Sequence, residues 1–108
     1  MNYIYYSPEK FGLKQIAELD FSSGCYEFDL TVVWQDGDGR LWYGDDSGCS
    51  CPAPFEGTGL NDLTPIKSAH EFNEHLKARQ KPDVLGLTYV NDSERLAVVA
   101  KVREALAS

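Results

Sequence analysis

Apolar and polar side chains alternate most cleanly between positions 26 and 34, where Tyr26, Phe28, Leu30, Val32 and Trp34 stand against Glu27, Asp29 and Thr31. A period of two with β-branched and aromatic residues is the pattern of a half-buried strand. Asp36-Gly-Asp-Gly39 follows with residues that tolerate positive φ. Arg40-Leu-Trp-Tyr43 then resumes strand character, so residues 25–43 read as a β-hairpin. Upstream, residues 13–21 carry two patterns at once. Leu13, Ile16 and Ala17 suit a helix face, whereas Ala17, Leu19 and Phe21 against Glu18 and Asp20 suit a strand. The strand reading is preferred, with Ser22-Ser-Gly24 turning it into the hairpin. The first 43 residues then form a small antiparallel meander of three to four strands whose one buried face needs a cover.

The C-terminal half supplies that cover. Ser68-Ala-His-Glu71 has capping-box spacing, Phe72 and Leu76 follow four apart, and Lys77, Arg79 and Lys81 sit where bases complement a helix C-terminus. A helix is expected over about residues 68–80, ended by Pro82. Val84-Leu-Gly-Leu-Thr-Tyr-Val90 reads as a further short strand. Asn91 or Asp92 then caps a last helix with Leu96, Val99, Val102 and Leu106 as its apolar stripe and Arg95, Lys101, Arg103 and Glu104 outside it. Between the halves, 14 of the 21 residues from 44 to 64 are Gly, Pro, Asp, Asn, Ser or Thr. A connection this long in a small domain is expected to be a binding, metal-clipped or mobile loop. The expected architecture is α+β in one domain: a meander over 1–43, a Gly/Pro/Cys loop over 44–64, and a helical half over 65–108 covering one sheet face.

With 10 Lys plus Arg against 17 Asp plus Glu, the chain of 108 residues carries a net charge of −7. The mean hydropathy of −0.37 at 43% hydrophobic content is that of a globular domain. Residues 1–60 hold all of the excess charge and eleven of the thirteen aromatic rings, while residues 61–108 are neutral. An acidic, aromatic half disfavours nucleic acid, which needs a basic face, and suits a basic or polar protein partner. The longest aliphatic run, residues 96–100, is far short of the ~20 residues of a membrane helix. The N-terminus lacks the n-region and apolar core of a secretory signal, so a cytoplasmic setting is expected. There Cys25, Cys49 and Cys51 are expected as thiols or metal ligands.

Candidate chemistry centres on Cys49 and Cys51. Together with His70 and His75 they make a Cys-x-Cys, 18 residues, His-x4-His set, the donor types of a zinc site. Two features weigh against zinc: the cysteine spacing is short, and residues five apart on a helix point about 140° apart. A dithiol–disulfide pair is the redox variant, but neighbouring Asp45 and Asp46 raise rather than lower a thiol pKa. A Cys–His nucleophile lacks an orienting third residue in the sequence. Asp36-Gly-Asp-Gly-Arg-Leu departs from a calcium loop at Arg40, Leu41 and Ser47, so a hairpin turn is the simpler account. Gly57-Thr-Gly59 lacks phosphate-loop context. Tyr26, Phe28, Trp34 and Trp42 are expected in the core. Tyr3, Tyr5, Tyr6 and Phe55 have the composition of a protein interface or a homodimer contact.

Tyr26-Glu-Phe-Asp29 with Val33-Trp34, Gly39-Arg-Leu-Trp-Tyr43 and Asp46-Ser-Gly-Cys-Ser-Cys-Pro-Ala-Pro-Phe-Glu56 resemble small uncharacterised proteins of actinobacterial phages that share a Ser-Gly-Cys-Ser-Cys-Pro-x-Pro-Phe-Glu stretch. The resemblance spans roughly residues 11–63 and implies a phage origin and expression in bacterial cytoplasm, with no activity attached. The leading expectation is a non-enzymatic module binding a host or phage protein through Tyr5, Tyr6, Asp45, Asp46, Cys49, Cys51 and Phe55, without a cofactor. The alternatives are a metal or thiol centre at Cys49 and Cys51 and an acidic DNA mimic.

Overall fold

The computed structural model describes residues 3–22, 27–49, 53–80 and 88–107. Four strands, β1 (Leu13–Asp20), β2 (Glu27–Asp36), β3 (Leu41–Cys49) and β4 (Thr64–Pro65), form one antiparallel sheet in the order β1-β2-β3-β4. Two helices, α1 (Ala69–Arg79) and α2 (Asp92–Ala107), complete the α+β fold. The hairpin between β2 and β3 closes on Asp36, whose carboxylate accepts N–H bonds from Asp38 and Arg40, both at 2.9 Å, and from Trp42 Nε1 at 3.0 Å. Gly39 at φ 84° supplies the left-handed step of this turn.

The double pattern of residues 13–21 has a structural cause. The segment is strand β1, and its register shifts between Gln15 and Ala17: Gln15 faces Trp34 and Ala17 faces Val33, leaving Ile16 as an inserted residue. A bulge of this kind flips the parity of the side chains. Leu13 therefore packs with Leu30, Val32 and Trp34 on one side of the sheet, and Ala17 and Leu19 pack with Val33 and Leu41 on the other. The helix-like spacing of Leu13, Ile16 and Ala17 is the trace of that flip.

Both faces of the sheet are covered, in contrast to the single buried face expected. In β2, the five consecutive residues Leu30, Thr31, Val32, Val33 and Trp34 are all buried. On the helix side, Phe72 and Leu76 of α1 and Val98, Val99 and Val102 of α2 close the core. On the opposite side a second cluster gathers Ile4, Phe55 and Leu63 around Trp34, with Tyr5, Phe11 and Trp42 at its rim. Gly44 is needed there: a Cβ would stand 3.1 Å from Leu63 Cδ2 and 3.2 Å from Phe55 Cε1. Trp34 is wholly buried and its Nε1 finds no partner among the described residues, a desolvation cost of about 1–3 kcal/mol that ring packing must offset.

Helix α1 starts where the capping box places it, with Ser68 Oγ accepting from Glu71 N at 3.1 Å. In α2 the cap is Asn91, bonded reciprocally with Glu94 at 2.8 and 3.3 Å. The apolar stripe of α2 is rotated from the expected one. Arg95, Val98, Val99 and Val102 are buried, whereas Leu96 is 53% exposed and Leu106 is exposed too. Arg95 reaches inward because its guanidinium finds partners: Gln80 Oε1 at 2.7 Å, Asn73 Oδ1, and Asp92 Oδ1 at 3.3 Å. The expected loop over 44–64 is shorter than its composition implies. Strand β3 runs to Cys49 because Glu27–Val32 of β2 offers a partner at every position, and β4 reclaims Thr64. The strand expected over 84–90 falls largely outside the described residues; Val90, which is described, is a buried residue before α2.

Candidate functional site

Where the N-terminal half of β3 passes under α1, polar side chains meet on the helix side of the sheet. Asp45 lies opposite Thr31 in the β2–β3 register, and adjacent strand residues point to opposite faces, so Asp45 turns toward α1 and Asp46 away from it. Asp45 accepts the hydroxyl proton of Thr31 and lies 2.8 Å from His75 Nε2 through its other oxygen. An ionised carboxylate only accepts, so Nε2 carries the hydrogen of that bond. The His75 ring leans on Tyr43 with centroids 4.5 Å apart. Burial first, and then the charge of Asp45, hold the Tyr43 phenol above its ordinary pKa, partly offset by a hydrogen bond with Thr64. One helical turn further, Arg79 Nη2 donates to Asp29 Oδ1 at 2.7 Å, its Nε stands 3.7 Å from Asp45, and its guanidinium lies 4.6 Å from the centroid of Phe21. Two carboxylates from two strands thus meet one helix through a histidine and an arginine. The arrangement ties layers together and engages both oxygens of Asp45.

The other face carries a different surface. Residues 3–12 fold back over the sheet through a turn closed by Ser7 N to Tyr3 O at 2.8 Å and a 3-10 turn, Pro8–Phe11, ended by Gly12 at φ 73°. Ile4 anchors this segment in the second core. Tyr5 stacks on Phe55 at 6.0 Å and donates its hydroxyl to Glu18 Oε2 at 2.6 Å. Burial and then that hydrogen bond push the Tyr5 phenol well above the usual range. Tyr3 donates to Glu56 Oε1 at 3.3 Å, and desolvation and Glu56 raise its pKa too. Tyr6 packs edge-on against Tyr5 at 5.0 Å and is 60% exposed. The result is a braced cluster of three tyrosines with an open ring at its crest and glutamates at its sides.

Phe55 underlies that cluster. It is 1% exposed and adopts φ 60°, an uncommon conformation for a bulky residue. Its N–H donates to Asp46 Oδ2 at 2.7 Å and its ring meets Trp34 edge-on at 5.2 Å, which together hold the strained turn. Phe55 is therefore core rather than an interface ring. Its partner Asp46 serves the loop, while Asp45 serves the helix junction.

Of the four candidate metal ligands, the three that are described stand in different settings. Cys49 is an exposed free thiol at the end of β3, His70 is exposed on the first turn of α1, and His75 is engaged by Asp45. Cys51, with Cys25 and Tyr26, lies outside the described residues, and among the described ones no three His, Cys, Asp or Glu side chains gather to hold a metal. Among the same residues no helix is long and apolar enough to cross a membrane. Sequence reading missed the roles of Asp29, Thr31, Arg79 and Arg95, placing the first two on the polar face of a half-buried strand, Arg79 at a helix C-terminus and Arg95 outside the apolar stripe of its helix. The available signal was Val33: its apolar side chain shares parity with Asp29 and Thr31, so that face was never purely polar.

Fold and surfaces together define a small α+β protein with a polar clasp on one side of its sheet and a tyrosine–glutamate surface on the other. The family model of a domain of unknown function, DUF7574, matches residues 1–108, and the chain belongs to that family. No curated protein and no solved structure matches it.

Proposed function

We propose that the chain is a non-enzymatic binding module, of phage origin and working in the cytoplasm of the bacterial host, that docks on a basic surface of a host or phage protein through its tyrosine face. The observation that carries this reading is Tyr6, an exposed ring braced on Tyr5, whose hydroxyl is in turn fixed on Glu18. Rigid tyrosines supply contact area at little entropic cost, and their faces attract lysine and arginine. Glu18 and Glu56 give the same surface its charge, and residues 1–60 hold the whole net −7 of the chain. Opposite charge of this kind raises association rates and makes binding sensitive to salt.

The test is site-specific photocrosslinking in host cells, with benzoylphenylalanine at position 6 and, as a control on the helix face, at position 101. The expected result is one discrete adduct from position 6, weakened by Glu56→Gln, whose crosslinked peptide is rich in lysine or arginine. Identical adducts from both positions, or none from position 6, would remove the tyrosine face from consideration.

A further inference from the structure

Strand β3 is paired along its whole length on the β2 side and only at its beginning on the other. Leu41 O accepts from Ile66 N at 2.9 Å, and Trp42 and Tyr43 stand opposite Pro65 and Thr64. Alternation along the strand turns the backbone N–H and C=O of Asp45 and Ser47, and the N–H of Cys49, to that same outer side. By then the preceding chain has turned away through the 3-10 turn Leu60–Asp62, and among the described residues no backbone or side-chain group bonds to these outward amides. All three residues are exposed. The result is an open sheet edge of five residues, roughly 17 Å at about 3.4 Å per residue, which is the template for strand addition.

Charge decides what this edge accepts. A second copy brings its own net −7 and sets a second Asp45–Asp46 pair beside the first, so the edge is guarded against self-pairing. The excess negative charge of residues 1–60, Asp46 included, attracts a basic strand. Beside Ser47 and Gly48 the surface opens into a cavity of about 460 Å³ lined by Phe21, Glu27, Phe28, Asp29 and Tyr89. Arg79 already lies over the Phe21 ring and donates to Asp29, so the cavity offers room for a side chain beside the edge. A residue on an added strand opposite Ser47 projects its side chain toward this cavity.

We propose that the outer edge of β3, Asp45–Cys49, takes an extended basic segment of the partner protein as an added antiparallel strand. This rests on the reading of the chain as a protein-binding module and names the mode and the partner's chemistry.

The test uses the full chain and an acetylated, amidated six-residue peptide alternating valine and lysine, followed by titration calorimetry and by amide hydrogen exchange. A control peptide of the same sequence carries N-methyl groups on alternate amides, so it has equal charge and cannot pair. The expected result is binding of the parent peptide, at least tenfold weaker binding of the methylated one, and slowed exchange at Ser47 and Cys49. Ser47→Pro removes an outward N–H without removing a bond to β2, and is expected to abolish peptide binding at unchanged Tm. Equal binding of both peptides, or of neither, would overturn strand addition, and the methylated control decides this even where the proline variant fails to fold. A concentration-dependent dimer that protects the Ser47 amide without peptide would overturn the basic partner in favour of a second copy. A persisting position-6 crosslink with no strand pairing sinks the edge alone, whereas strand pairing with no such crosslink sinks the tyrosine face alone.

Discussion

On the helix side of the sheet, two capped helices lay Phe72, Leu76, Val98, Val99 and Val102 over Ala17, Leu19 and Val33, and an ion pair from Arg79 with a hydrogen bond from His75 closes the rim. On the other side the same strands are covered by chain with little regular structure. Ile4, Phe55 and Leu63 enclose Trp34, held by the N–H of Phe55 on Asp46 and the hydroxyl of Tyr5 on Glu18. Helical cover is a repeated contact in which each turn adds another residue. The irregular cover depends on a few large rings and single hydrogen bonds, and it therefore concentrates both its stability and its exposed tyrosine surface in a handful of residues. The difference teaches that the layer with less secondary structure rests on fewer residues, and is the one free to present aromatic rings outward.

The strongest way to break this comparison is to truncate one ring on each side. Phe55→Ala and Phe72→Ala are each expected to cost about 3–5 kcal/mol in urea unfolding, since both rings are fully buried. If the faces form one cooperative unit, each variant unfolds in a single transition. A Phe55→Ala protein that keeps native exchange protection in α1 while losing it around Trp34 would show that the irregular layer opens by itself. Arg79→Ala tests the rim of the helix side. It removes the 2.7 Å bond to Asp29 and leaves Asp29 and Asp45 without their shared cation, an expected loss of about 2–3 kcal/mol that Asp29→Asn should partly relieve in a double-mutant cycle. Additive losses in that cycle would mean the pair is incidental.

Gly44→Ala probes the tightest point of the irregular side. A methyl group 3.1 Å from Leu63 Cδ2 and 3.2 Å from Phe55 Cε1 is expected to cost about 1–3 kcal/mol, and trimming the contact with Leu63→Val should recover part of it. The smallest effect is expected at the hairpin that both faces share. Hydrogen bonds, first from Trp42 and then from the backbone of Arg40 and Asp38, hold the Asp36 carboxyl below its ordinary pKa. A lowered folded-state value means that Asp36 stabilises the protein above its unfolded pKa of 3.8 and loses that contribution as pH falls through the folded value. Asp36→Asn should therefore lower Tm at pH 7 and leave a smaller difference near pH 3. An equal difference at both pH values would show that the turn depends on geometry alone.

The alternation of residues 26–34, the Asp36-Gly-Asp-Gly39 turn and the capping residue Ser68 were legible because each acts through neighbours within a few positions. The sequence by itself therefore determined a meander followed by two helices, the hairpin, the start of α1 and the acidic, aromatic character of the first half. Tertiary structure decided the rest, because it depends on groups far apart in the chain. A one-residue bulge at Ile16 changed which face Ala17 and Leu19 serve, and pairing with β2 made a strand of the loop-like Asp45–Cys49. Partners at positions 73, 80 and 92 drew Arg95 into the interior, and a second core buried Phe55 while leaving Tyr6 outside. Local pattern fixes the period of an element, whereas the face it buries and the edge it leaves open are settled only when distant segments meet.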